Sequence, residues 1–143
     1  MERQIFINLP VTDVTASSAF YAALGAERDE RFCDGSTAMM RLTSAITVML
    51  LDQARFAGFT PRAIADARTH SQMLLCLSCA DRGEVDRLAN IANWAGGRAD
   101  PSPSQDHGFM YGRSFEDPDG HIWEAVWMDV EAAMTARKEM QDA

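Results

Sequence analysis

The feature that most constrains this chain is an internal repeat. The segments LPVTD (Leu9 to Asp13) and LSCAD (Leu77 to Asp81) occupy the same place in two similar stretches. Each closes a strand-like run, QIFINLPV over residues 4–11 and SQMLLCLSC over 71–79, and each opens a helix. Asp13 stands at the N-cap of VTASSAFYAALG, where Ser17, Phe20, Tyr21 and Leu24 follow helical spacing and Gly25 stops the helix. Asp81 with Glu84 makes a capping-box pattern, Val85, Leu88, Ala92 and Ala95 form the inward stripe, and Gly96-Gly97 ends that helix. Three short strands should follow each helix, at about 27–33, 37–42 and 45–51, then near 98–100, 108–116 and 121–128. The order is βαβββ twice. The modules span about 1–52 and 70–129, with a connection at 53–69 and an amphipathic C-terminal helix at 130–142. At 143 residues, the two halves form one α+β domain around a shared core.

Charge and composition then remove several function classes. The net charge is −8 and the 13 Lys and Arg residues are scattered, so no basic stripe exists for nucleic acid. No apolar run approaches the roughly 20 residues of a membrane-spanning helix. Glu2, Arg3 and Gln4 lead straight into a strand rather than a signal peptide, so a cytoplasmic location is expected. Cys33, Cys76 and Cys79 are too few for a disulfide framework and fit a reducing compartment. Cys76 and Cys79 have redox or half-zinc spacing, but an offset of three along a strand puts the sulfurs on opposite faces. They read as buried structural cysteines.

The chemistry concentrates in RSFEDPDGHIWEAVWMD, residues 113–129. Asp117-Pro118-Asp119-Gly120 is a turn, with Pro fixing φ and Gly tolerating φ > 0. The strand after it alternates, so Glu124 shares a face with Ile122 and Val126, while Trp123 and Trp127 point the other way to pack on a helix. A carboxylate on an apolar face needs a partner, whether cation, donor or ligand.

The repeat, with NLPVTDVTASSAFYAALGA near the start and FEDPDGHIWEAVW near the end, resembles the vicinal oxygen chelate superfamily. That group includes glyoxalase I, fosfomycin-resistance enzymes, extradiol dioxygenases and bleomycin-resistance proteins. The resemblance implies a curved, mostly antiparallel eight-stranded sheet with helices outside, enclosing a pocket that a homodimer often completes. It also implies a place for a divalent cation. Glu124 matches the final glutamate of the family's DPDG-x-x-x-E pattern. The first-strand ligand position falls on Phe6 and its second-module counterpart on Leu74. A late first-module glutamate would be Met49, or Thr47 if the register slips. A slip of two would bring in Asn8 and Gln72 instead. One carboxylate among Phe, Leu and Met is a poor shell for any divalent metal.

The expectation is therefore a small-molecule-binding protein without a catalytic metal, using Phe6, Asn8, Met49, Gln72, Leu74, Cys76, Ser114 and Glu124. Glu124 is the candidate catalytic residue and the one metal ligand if there is any. The alternative is a lyase, isomerase or dioxygenase that depends on Ni, Zn, Mn or Fe; a structural or regulatory dimer with no ligand is a third. Without a metal, Glu124 acts as general base or acid, orients a ligand, or is structural. A bulge in the penultimate strand would exchange Ser114 for Tyr111 and Arg113. Phe56 and Phe59 in the connection read as a lid or as packing. His107 reads as a solvated loop residue or a base at the pocket rim, His70 begins a strand and could be a ligand but falls outside the family register, and His121 packs and hydrogen-bonds.

Overall fold

The structure, a computed structural model, describes residues 1–142. The first module contains β1 (Ile5–Val11), α1 (Val14–Ala23), β2 (Glu27–Arg28), β3 (Thr37–Arg41) and β4 (Ile46–Asp52). After α2 (Gln53–Ala57) and an irregular connection, the second has β5 (Leu75–Ser78), α3 (Arg82–Trp94), β6 (Arg98–Ala99), β7 (Gln105–Asp106), β8 (Met110–Glu116) and β9 (Ile122–Met128). Helix α4 (Val130–Asp142) follows β9, with Asp129 accepting from the Ala132 amide at 3.1 Å. The two sheets repeat one another: β1-β4-β3-β2 and β5-β9-β8-β6, with β7 added on β8. In each, the first strand pairs parallel with the last.

Both helices start as the sequence predicts. Asp13 accepts from the Ala16 amide at 3.0 Å and Asp81 from the Glu84 amide at 2.8 Å. Glu84 returns a bond to the Ala80 amide at 2.8 Å, one residue earlier than an ideal capping box. Their buried stripes, with Leu9 and Val11 of β1 and Phe115, Trp123 and Ala125 of the second sheet, form one core spanning both modules.

The modules join through that core and the β8–β9 turn, not through a ladder between β1 and β5. Trp123 Nε1 donates to the Tyr21 hydroxyl at 3.0 Å, and that hydroxyl donates to Asp117 Oδ2 at 2.7 Å. The Thr12 amide donates to Asp119 Oδ1 at 2.9 Å, and His121 Nε2 meets the Pro10 carbonyl at 2.8 Å. Burial pushes both the Tyr21 hydroxyl and the Asp117 carboxyl above their ordinary values.

The ladders depart from the sequence reading in three places. The strand expected at 27–33 ends at Arg28, because Asp29 accepts from the Arg31 amide at 3.2 Å and starts a 3-10 turn over Glu30–Phe32. The strand expected at 71–79 is only Leu75–Ser78; Gln72 and Leu74 precede the ladder, since β9 pairs with β5 from Leu75↔Trp123 onward. The loop after Pro101 and Pro103 gains β7, which Arg82 anchors through two bonds to Asp106 at 2.9 and 2.7 Å.

Candidate functional site

The sheet faces turned away from the helices bring three predicted residues into one row. Cys76 is the register partner of Glu124 across β5 and β9, and Ser114 is its partner across β8 and β9. The β8–β9 register runs unbroken from Met110 to Glu116, so no bulge exchanges the faces. Tyr111 and Arg113 accordingly point to α3, where both bond Asp86, at 2.6 and 3.0 Å. Ser114 is buried and spoken for: it accepts from the Ser102 amide at 3.1 Å and donates to the Ser102 carbonyl at 3.4 Å. Glu124 is half-buried and takes no side-chain hydrogen bond or ion pair among the described residues.

Cys76 is exposed, which corrects its reading as a buried structural thiol. Partial burial, with the nearby Glu124 charge second, raises its pKa. Cys79 faces the other way and is pushed up to about 11, mainly by burial. In the first module, Asn8 pairs with Met49 and Phe6 with Thr47. Phe6 and Leu74 are 49% and 56% exposed, so neither closes a pocket within one chain.

A cavity open to solvent on one side lies nearby, at the seam between β1 and the β5–β9 pair, roofed by the connection. This cavity of 320 Å³ is lined by Asn8 and Pro10 from β1, Gln72 and Met73 before β5, and His121 and Ile122 at the start of β9. Phe56, Arg62, Ile64 and His70 supply its roof. Ile122 shares a strand face with Glu124 two residues on, roughly 7 Å further along. Of the predicted site, only Asn8 and Gln72 line the cavity. Of the two candidate lid aromatics, Phe56 does so, while Phe59 is 70% exposed with Arg55 over its ring at 5.7 Å. Sequence reasoning missed Arg62, which lies in a segment without periodicity, and set His70 aside as outside the family register, yet the path of the chain brings both to the seam. His107 is exposed, stacked with Phe109 and away from the cavity.

Residues 3–125 match the Glyoxalase/Bleomycin resistance protein/Dioxygenase superfamily. The chain belongs to this superfamily. No curated protein matches the sequence significantly. A hypothetical protein of S. aureus is 26% identical with a TM-score of 0.72, over 89% of this chain and 95% of that one. A lactoylglutathione lyase from Agrobacterium tumefaciens is 19% identical, with a TM-score of 0.62 over 89% and 94%. A fosfomycin resistance protein from Mesorhizobium loti is 16% identical, with a TM-score of 0.65 over 94% and 98%. The last two likenesses establish the shared fold alone.

The glyoxalase-superfamily position for a divalent metal can be tested against the donors this chain places there. Beside Glu124 stand the Cys76 thiol and the Ser114 hydroxyl engaged with Ser102. Phe6 and Leu74 offer no donor at all. Among the described residues no three His, Cys, Asp or Glu side chains gather to hold an ion. A single carboxylate with soft or neutral neighbours does not fit a hard or borderline divalent cation, which takes three or more protein ligands.

Proposed function

We propose that this glyoxalase-superfamily protein binds a small organic molecule in the seam cavity and along the face carrying Glu124, without a catalytic metal. The observation that supports this most is the pairing of a cavity of 320 Å³ with a donor-poor face beside it. A volume near the lower end of the roughly 300–1,000 Å³ typical of ligand pockets suits a compact ligand. Phe56, Met73 and Ile122 supply apolar contact, and Asn8 and Gln72 supply amides that fix orientation. In this reading Glu124 accepts a hydrogen bond from the ligand or acts on it as general base or acid. Phe6 and Leu74 are covered by a second copy of the chain, making a homodimer. Three free cysteines suit a cytoplasmic setting.

The unpartnered Glu124 favours a second reading, a divalent-metal lyase, isomerase or dioxygenase. Metal analysis of protein purified without chelator, then titration with nickel, zinc, manganese and iron, separates the two. The metal-free reading predicts no stoichiometric uptake, and uptake abolished by Glu124→Gln would overturn it. A thermal-shift screen of small organic molecules tests binding itself: hits whose shift falls in Glu124→Gln at unchanged apo stability place the ligand beside that carboxylate.

A further inference from the structure

The cavity's charge pattern is at odds with the chain around it. The protein carries 21 acidic against 13 basic side chains, yet no carboxylate lines this space, whereas Arg62, His70 and His121 do. Arg62 makes no ion pair and no side-chain hydrogen bond among the described residues. It shares the lack of an ion pair with Arg3, Arg55, Arg68, Arg87 and Arg137, while Arg28, Arg31, Arg41, Arg82, Arg98 and Arg113 are paired with carboxylates; of the six unpaired, Arg62 is the one that lines this cavity. Asp66 and Asp119 line the adjoining groove, and they and Asp117 already accept hydrogen bonds. Asp117 accepts from Tyr21 and from the Asp119 and His121 amides, Asp119 from the Thr12 amide, and Asp66 from the Arg68 amide.

Each imidazole also keeps one nitrogen uncommitted. The Pro10 carbonyl only accepts, so His121 Nε2 carries the hydrogen of that 2.8 Å bond and Nδ1 is left over. Thr69 Oγ1 takes up His70 Nδ1 at 2.8 Å, and Nε2 is left over.

We propose that the cavity takes a small organic anion, such as a carboxylic acid with a compact apolar body; this rests on the ligand-binding reading above. The anionic group is met by the Arg62 guanidinium under the connection, with His70 Nε2 and His121 Nδ1 as further donors when those nitrogens carry a hydrogen, and the apolar body lies on Phe56, Met73 and Ile122. Glu124, further along β9, repels a negative group from that end and so fixes the direction in which the anion lies.

The test is calorimetric titration of the full chain with hydrocinnamate, its neutral amide and the corresponding amine, with backbone NMR shifts of Ser71 and Ile122 reporting location. Hydrocinnamate should bind at least about tenfold more tightly than the amide, as a charge-assisted contact requires, and the amine more weakly than either. Arg62→Gln should weaken the acid far more than the amide and so erase most of the difference between them, and Arg62→Lys should restore part of it. Equal binding of acid and amide, or tightest binding of the amine, with shifts at Ser71 and Ile122, overturns the anion assignment and leaves the ligand site standing. If none of the three shifts those residues at millimolar concentration, both fall.

Discussion

Tyr21 serves as donor and acceptor at once. It takes the Trp123 N–H and gives its own hydrogen to Asp117, so Tyr21→Phe strands two buried polar groups. That change should cost about 2 kcal/mol near neutral pH, the usual penalty for unsatisfied buried partners. Burial raises the Asp117 carboxyl above its ordinary value, so the fold favours its protonated form. The stability this group contributes is full below the unfolded value of about 3.9 and is lost as pH climbs through the raised folded value. The Tyr21→Phe penalty should therefore shrink toward pH about 4, where a protonated Asp117 no longer depends on the Tyr donor. Denaturant melts of both proteins at the two pH values check this, and a pH-independent difference would contradict it. Cys76 gives a second residue-scale prediction. Because the Glu124 charge helps raise its thiol pKa, Glu124→Gln should speed alkylation of Cys76 at mildly alkaline pH. Cys79, pushed up to about 11, should stay slow in both proteins, as peptide mass spectrometry would report.

Among the elements, the joint between α1, α3 and β8 tolerates least. A Cβ on Gly97 would overlap the Glu116 carbonyl oxygen and come within 2.7 Å of Phe20 Cε2. Gly97→Ala should cost about 3 kcal/mol or more, or prevent folding, because a backbone atom cannot swing aside as a side-chain tip can. Thermal unfolding measures it, and a variant as stable as the parent would show that the modules shift apart freely. These elements were largely readable from sequence because local chemistry dictates them: Asp13 and Asp81 cap, Gly25 and Gly96 terminate with positive φ, and alternation sets the faces of β8 and β9. Where the reading erred, a non-local partner decided the outcome. Strand β5 is short because its ladder with β9 begins only at Leu75↔Trp123, and β7 is held where Arg82, distant in sequence, bonds Asp106. The cavity was legible only through Asn8, Gln72 and Phe56, since Arg62 in its roof carries no periodic signal.

For the molecule as a whole, exposed apolar side chains cluster on parts the fold leaves uncovered. Ile5, Phe6, Met73 and Leu74 are all about half exposed or more, as are Met128, Val130 and Met134 where β9 runs into α4. The proposed homodimer covers such surface. Sedimentation should find a dimer at micromolar concentration. Phe6→Glu with Leu74→Glu should shift it toward monomer, with a change in monomer stability within about 0.5 kcal/mol, as expected of exposed positions. A monomeric parent would remove the dimer from the reading. One further consequence follows from the cavity's construction. Its floor is strand backbone locked by ladders and the Tyr21–Asp117 bond, but its roof is a stretch of loop that no ladder holds. Evolution can rewrite residues 60–70 without disturbing the core, so relatives with the same scaffold are free to diverge in what they recognise while folding alike.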